Sequence, residues 1–596
     1  MPTLSVVNFN IVCATLGGFI TLFGLVSYLL KEKYYLSEAL ISLVGGVVFS
    51  PHAANLVRPL DYAQGNEEDL ETITLYFTRL VLGVQLVLAG VQLPSKYLKQ
   101  EWRPLSLLLG PGMCVMWIVT SLLVWALVPD ISILFALAVG ACVTPTDPVL
   151  SNSIVKGKFA DKNIPRELQR IIIAESGAND GLGYPFLFLP LYLIKYLGHP
   201  ELAGHHGASR AIGLWFGETW GYTILLSVVY GAVVGYLAKE LLHWAEEKRY
   251  VDRESFLVFA ITLALFIVGT VGMIGSDDVL ACFIAGNVFT WDDWFRLETL
   301  DDSLQPTIDM LLNVSIFIWF GAVTPWNKFV HNDVIPIYRL IPLGILVLLL
   351  RRLPIVYAMH KKIHQIEETR QALVVGFFGP IGVSAVFYLY ISREFLRGIK
   401  RDGVVRDDAE HLSEIMLVVI WFLAICSIVV HGISIPLGKL GFYLPRTISA
   451  AVSTERISRR STDEPTPIGE ETMSGSSALA SRFRRYKEDT GSSSSLPRSF
   501  YRIGRSVVSD LRRGHQQTKN ASAPSNDTTN WNISEPSNPR PLGKIIAKDI
   551  DRESPLGATP TADRAGAVTP AGSHSPAPLN RTIRFPDENP SVANLS

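Results

Sequence analysis

The stretch Ile171-Ile-Ile-Ala-Glu-Ser-Gly-Ala-Asn-Asp-Gly-Leu-Gly-Tyr-Pro-Phe-Leu-Phe-Leu-Pro190 is apolar enough to lie inside a membrane, yet it carries Glu175, Ser176, Asn179 and Asp180. On a helix, Glu175 and Asn179 are four residues apart, as are Ser176 and Asp180, so each pair shares a face. A charge at the bilayer centre costs roughly 2.5–3.5 kcal/mol on insertion scales. Two carboxylates in one span therefore need a reason, and ion or proton binding is the usual one.

The surrounding chain supports a membrane setting. Of its 596 residues 48% are hydrophobic, and the mean hydropathy is positive. That composition over this length is typical of a polytopic membrane protein. The formal net charge of −1 averages an apolar body with a polar tail and gives no ground for a nucleic-acid partner. Cys13, Cys114, Cys142, Cys282 and Cys426 are scattered through apolar segments without a C-x-x-C spacing. They read as free thiols, supporting neither a zinc site nor a disulfide framework. The first ten residues hold no basic cluster, and the apolar run after them is too long for a signal peptide, so it reads as a retained first span.

Thirteen candidate spans lie near residues 10–30, 37–58, 71–93, 104–128, 132–154, 167–195, 211–242, 254–274, 277–291, 304–324, 334–359, 369–392 and 411–440. The exits of spans 1, 3, 5, 7 and 11 are rich in Lys and Arg, which puts that side in the cytoplasm. The N-terminus is then outside and the C-terminus inside. Two loops run against the pattern: an acidic one after span 9 (Asp292, Asp293, Glu298, Asp301, Asp302) and a basic one after span 12 (Arg393, Arg397, Lys400, Arg401, Arg406). Residues 1–443 thus read as the transmembrane domain and residues 444–596 as a disordered cytoplasmic regulatory tail, rich in Ser, Thr, Pro and Gly. From residue 445 on, the tail has 21 Lys and Arg against 16 Asp and Glu, which suits an anionic lipid leaflet. Residues 499–513 fit either a basic amphipathic helix or a solvated segment. Arg459-Arg460-Ser461-Thr462 is a short match to a kinase site, and the sequons at Asn520, Asn526 and Asn532 would be cytosolic and unused.

Polar and helix-breaking residues concentrate in four further places. Span 5 contains Cys142-Val-Thr-Pro-Thr-Asp-Pro-Val149, where Pro145 and Pro148 interrupt an apolar helix and set Thr144, Thr146 and Asp147 at the break. Such a break is tolerated at membrane depth only where the backbone lines a cavity or is buried in protein. Span 12 contains Gly376-Phe-Phe-Gly-Pro-Ile-Gly-Val-Ser384, again interrupted, by Gly379, Pro380 and Gly382. Paired interruptions in two halves point to an inverted-repeat transporter. In span 11, Arg351 and Arg352 fall mid-span and point about 100° apart, so that one can face the bundle and pair with Glu175 while the other snorkels. Asp277 and Asp278 open span 9, either as acidic residues at a positive helix end or as an outer cation vestibule. Asp309 and Asn313 form another i, i+4 polar pair; His431 reads as a satisfied core group, and His360 and His364 stand at a cytoplasmic helix end.

Thr146-Asp147-Pro148 in a broken span, followed by Glu175-Ser176-Gly177-Ala178-Asn179-Asp180 in the next, resembles the monovalent cation:proton antiporter family. The fuller strings from Thr144 to Ser153 and from Gly379 to Gly382, with the long tail, are similar to its fungal plasma-membrane Na+/H+ branch. The resemblance implies an all-α fold of about thirteen membrane helices in inverted repeats, two crossed broken helices and a homodimer. It implies Asp180 as the cation and proton site, with Asn179, Ser176, Asp147 and Thr146 lining or orienting it, and a structural pair between Glu175 and an arginine of span 11, Arg352 ahead of Arg351. Thr144, Pro145, Asp277, Asp278, Gly379 and Pro380 would be accessory. Many relatives carry an arginine where this chain has Ile381, so another group must balance the converging helix ends here.

The expected activity is exchange of cytosolic Na+, Li+ and in some settings K+ for external H+, by alternating access at one carboxylate and without a cofactor. The partners expected are the bilayer, a second copy of the chain and, for the tail, anionic lipid, kinases or regulatory proteins. A membrane-embedded aspartyl protease would also need two aspartates, but its Gly-x-Gly-Asp is absent, so no enzyme is expected. A cation channel would need a repeated filter loop, which is also absent, and a non-transporting sensor would show no flux dependent on Asp180.

Overall fold

Breaks in helices, more than the helices themselves, set this architecture. The computed structural model describes residues 7–155, 164–197 and 207–460, almost wholly helical. The helices used below are α1 Asn8–Tyr28, α2 Glu38–Phe49, α3 Glu67–Gln92, α4 Met113–Leu127, α5 Ile133–Cys142, α6 Pro148–Val155, α7 Arg166–Gly181, α8 Gly183–Leu197, α9 Leu226–Glu247, α10 Arg253–Met273, α11 Asp278–Phe289, α12 Leu304–Val323, α13 Ile337–Leu350, α14 Leu353–Met359, α15 Thr369–Phe377, α16 Val383–Arg397 and α17 Asp407–Arg460. A two-residue antiparallel hairpin pairs Lys400 with Val405 and Arg401 with Val404 between α16 and α17.

Among the described residues, eight helical segments are long and apolar enough to cross a membrane: Asn8–Lys31, Glu67–Gln92, Trp102–Leu127, Gly207–Glu247, Arg253–Met273, Leu304–Val323, Ile337–Lys362 and Asp407–Ser434. Three shorter apolar helices, α2, α5 and α11, fall where the second, fifth and ninth spans are expected. Length alone therefore does not return the expected thirteen crossings. Several helix starts are fixed by local chemistry. Asn66 accepts from the Glu68 amide at α3, Ser132 from Phe135 at α5, and Asp252 from Ser255 at α10. Each satisfies a first-turn N–H that the helix leaves open.

The helices pack as two bundles, one from α2, α3 and α9–α12 and the other from α4–α8 and α13–α17. In the first, α9 lies against α11. A Cβ on Gly231 or Gly235 would come within 2.5 Å of the Ala281 or Ala285 carbonyl, so only glycine admits this approach. Small residues that let backbones meet are the usual means of helix association in lipid, where apolar surface alone gives little drive. The bundles touch where α3 meets α16, where α7 meets α3 and α11, where α2 meets α17, and where α6 meets α3 and α2.

The two loops that ran against the charge pattern carry their own counter-charges. In the acidic loop, Asp292 pairs with Lys239 at 3.1 Å, Asp293 with Arg296 at 2.6 Å, and Asp302 with Arg253 at 3.7 Å. In the basic loop, Arg393 pairs with Glu71 at 2.7 Å, Arg397 with Glu71 and, at 3.6 Å, with Glu68, and Arg406 with Asp408. Arg406 also donates to the Ile194 carbonyl at 2.7 Å, which caps the end of α8. These charges answer local neighbours and so report poorly on membrane sidedness.

Three readings of the sequence need correction or limits. Span 6 is not one helix: α7 ends at Gly181 and α8 begins at Gly183. Span 11 also divides, into α13 and α14, at Arg351–Arg352; Pro354 in the first turn of α14 cannot continue a helix from the preceding one. The helical backbone of α17 runs past the expected 443/444 boundary, while residues 461–596, including the candidate amphipathic helix, the sequons and Ser461-Thr462 of the kinase-site match, lie outside the described residues.

Candidate functional site

The two interrupted segments cross. Between α5 and α6 the chain is non-helical over residues 143–147, and between α15 and α16 over residues 378–382. At the crossing the Asp147 amide donates to the Pro380 carbonyl at 3.0 Å. The prolines explain the openings, since Pro145, Pro148 and Pro380 have no N–H to continue a helical ladder. Gly382 makes the approach possible, because a Cβ there would stand 2.5 Å from Asp147 Oδ2. A Cβ on Gly379 would collide with the Arg352 side chain.

Asp147 is fully buried and serves two helices at once. Its Oδ2 accepts from the Leu150 amide at 2.8 Å in the first turn of α6, and its Oδ1 from the Ser384 amide at 3.2 Å in the first turn of α16. One carboxylate thus caps two N-terminal ends, where the helix dipole is positive. Thr146 is joined to α7: its amide donates to Asn179 Oδ1 at 3.2 Å, and its hydroxyl accepts from Asn179 Nδ2 at 2.7 Å.

Asp180 sits one residue beyond Asn179, 1% exposed. Neither of its carboxylate oxygens reaches a hydrogen-bond partner of ordinary geometry among the described residues. The Ser384 hydroxyl faces it, and the carboxylates of Asp147 and Asp277 act on it through space. Its backbone carbonyl, freed where α7 stops, accepts from the Tyr388 hydroxyl. A buried carboxylate without donors is costly unless it takes up a proton or a cation.

The remaining expected residues divide. Glu175 and Arg352, 2% and 3% exposed, form a two-pronged pair at 2.5 and 2.7 Å, and Arg352 Nε donates to the Val375 carbonyl at 3.0 Å. The sequence left open which arginine pairs with Glu175; it is Arg352. Snorkelling of the other does not occur, since Arg351 is 2% exposed. It donates instead to the carbonyls of Val143, Thr144 (3.1 Å), Pro145 (3.2 Å) and Gly379. Ser176 and Thr144 bond back to their own helices, at Ile173 O (3.3 Å) and Gly140 O (2.8 Å), and do not hydrogen-bond the Asp180 carboxylate. Asp277 caps α11 by accepting from Leu280 N at 3.0 Å, and Asp278 pairs with Arg79 at 2.6 Å. The helix-end reading of this acidic pair thus matches the geometry. His431 is satisfied as expected, bonded to the Ser427 and Phe377 carbonyls at 2.8 and 3.0 Å. His364 lies 3.2 Å from Glu101, and His360 bonds the Tyr357 carbonyl at 2.6 Å.

Sequence reasoning missed Ser384, Tyr388 and Ser427, whose hydroxyl accepts from the Ile381 amide at 2.7 Å. Ser384 and Ser427 are common residue types in apolar helices, and only their meeting with a break marks them. A cavity of about 600 Å³ is lined by Gln92, Arg170, Ile173, Arg296, Asp302 and Asp309. Its deepest lining residue along α7, Ile173, is seven residues from Asp180, or roughly 10 Å along the helix axis.

The comparisons with known proteins bear on this geometry. Residues 18–437 match the transmembrane sodium/hydrogen exchanger family. The chain belongs to that family. It is 36% identical over 462 residues to Na+/H+ antiporter 2 of Zygosaccharomyces rouxii, covering 76% of this chain and 55% of that protein. It is 37% identical to the Na+/H+ antiporter of Saccharomyces cerevisiae, covering 74% of this chain and 44% of that one. The chain thus spans about half the length of these two relatives. A Na+/H+ antiporter of Schizosaccharomyces pombe is 33% identical over 73% of this chain and 92% of its own length. The fold matches that of the sodium proton antiporter MjNhaP1 from Methanocaldococcus jannaschii at pH 8, with a TM-score of 0.52, 16% identity, and coverage of 72% of this chain and 96% of that one.

Proposed function

We propose that this exchanger-family protein carries Na+ and Li+, with K+ as a further substrate, out of the cytosol in exchange for H+. The observation that carries this reading is Asp180: a buried carboxylate, free of hydrogen-bond donors in ordinary geometry among the described residues, beside two crossed helix breaks. Deprotonated, it offers hard oxygen ligands to a dehydrated alkali cation. Otherwise it takes a proton. The loaded, neutral form is the one that passes the hydrophobic barrier cheaply, so each cation moved one way requires protons moved the other.

In this reading Asn179 and Thr146 hold α7 to the first break, Asp147 fixes the half-helices, and Glu175 with Arg352 is structural. Asp277, through space, and Tyr388, on the Asp180 carbonyl, are accessory. Ser176 and Thr144 act as helix-internal hydroxyls and Asp278 as an ion-pair partner. The relatives named Na+/H+ antiporters, from three yeasts, support the substrate; the plasma membrane is the proposed location. Thirteen passes, an external N-terminus, a cytoplasmic tail and a homodimer complete the proposal. The reaction is transport, not catalysis.

The test uses sealed vesicles holding the full chain and a preset pH gradient, to which Na+, Li+ and K+ are added in turn. The gradient collapses with wild type and persists with Asp180→Asn. Cation flux without proton movement would replace this reading by a channel.

A further inference from the structure

The geometry points to Arg351 as the positioning residue of the crossing, a cation that binds the C-terminal ends of both interrupted helices and so fixes the cation site between them. This rests on the exchange reading above.

Helix α5 ends at Cys142 and α15 at Phe377. Beyond these ends the chain leaves carbonyls without an amide four residues on. The partner that Thr144 would have had is Pro148, which has none, and the amide of Asp147, due to Val143, goes instead to Pro380. Helix C-terminal carbonyls carry partial negative charge, and two such ends brought together repel. Arg351 answers both: one guanidinium nitrogen serves the carbonyls of Val143, Thr144 and Pro145, and the other serves Gly379. The planar guanidinium, with donors in a fixed fork, suits acceptors arriving from two sides.

The same crossing gathers its two N-terminal ends on Asp147. Asp147 and Arg351 therefore form a charge-balanced frame, one ion for each pair of ends. Arg351 makes no ion pair with a carboxylate among the described residues, whereas its neighbour Arg352 is committed to Glu175. The break between α13 and α14 separates the two side chains and lets adjacent arginines take different partners. Ile381, in the second break, contributes only its amide, to Ser427. The frame's cation thus comes from a different segment than the breaks themselves. Thr146, Asn179 and Asp147 keep their places around Asp180 only while this frame holds.

The test compares Arg351→Gln and Arg351→Lys in the full chain, reconstituted in vesicles and checked for assembly by size exclusion. Wild-type exchange first establishes the activity, so failure of that reading is seen separately. R351Q is expected to raise the apparent KM for Na+ tenfold or more. R351K, which keeps a charge but not the two-sided fork, is expected to fall between R351Q and wild type, about threefold above wild type. A residue that only stabilised the fold would change the amount of protein and its melting temperature but leave KM alone. A wild-type KM in R351Q, or equal KM rises in both variants, would overturn the proposal. If R351Q does not assemble, R351K decides: a KM about threefold above wild type supports the assignment, and either a wild-type KM or a tenfold rise refutes it.

Discussion

The pair of Glu175 and Arg352 shows how one residue's partner decides its meaning. Both are buried, so each alone would be an uncompensated charge in an apolar setting. Removing one partner of a buried pair typically costs about 3–5 kcal/mol, while replacing both with apolar residues of similar volume is often nearly neutral. Arg352→Met is therefore expected to lower the melting temperature in detergent sharply, and Glu175→Leu/Arg352→Met to recover most of the loss. A double variant no more stable than the single one would contradict the structural role. Gly382→Ala gives a second expectation at this scale. Its Cβ would stand 2.5 Å from Asp147 Oδ2, so exchange in vesicles should fall at least tenfold in protein that still assembles. Much at this scale was legible in the sequence. An intramembrane Asp, Glu or Arg is conspicuous because its cost in an apolar segment is high. The donors that meet these groups were not: backbone amides at Leu150 and Ser384 carry no residue signature, and Ser384 looks like any serine in an apolar helix.

Among the elements, the breaks at Pro145–Pro148 and at Gly379–Gly382 were legible because proline and glycine mark them directly. The gap at Leu182 and the division at Arg351–Arg352 were read through, although Pro354 two residues on was a signal for the latter. What no single element reveals is where a break's backbone groups go. The amide of Ile381 reaches Ser427 on α17 at 2.7 Å, and the carbonyl of Phe377 reaches His431 on the same helix at 3.0 Å. Helix α17 therefore works as a splint for the second break. Ser427→Ala leaves a buried amide without its acceptor, a loss of about 1–3 kcal/mol. Thermal unfolding should show it as a lower midpoint, and Ser427→Thr, which keeps a hydroxyl, should lose less. An unchanged midpoint in Ser427→Ala would mean that the amide finds another acceptor.

Across the whole molecule, the two bundles are tied at one end by charge. Glu71 on α3 meets both Arg393 and Arg397 on α16, and Glu68 adds a longer contact to Arg397. The cavity of about 600 Å³ opens near the other end of α3, beside Gln92. In the proposed orientation the charged tie lies on the outer side and this cavity opens toward the cytosol. Glu71→Gln weakens the outer tie and draws the population away from this conformer. An apparent affinity falls in proportion to the competent fraction. The variant is thus expected to raise the KM for cytosolic Na+ severalfold with kcat little changed, measured in inside-out vesicles. A lowered KM would reverse the assignment of sides. Sidedness was the part of the architecture that sequence conveyed least cleanly, because Arg393, Arg397 and Arg406 answer local acids and carbonyls, not the membrane potential or lipid charge.

In the proposed exchange one carboxylate, Asp180, holds either a proton or an alkali cation. Proton release in weakly buffered detergent solution tests this. Na+ is added to purified wild type and to Asp180→Asn, with a pH indicator as readout and choline as the control cation. The account predicts proton release on Na+ addition to the wild type, saturating with Na+, and none from Asp180→Asn. Equal release from both proteins would place the exchanged proton elsewhere and contradict it.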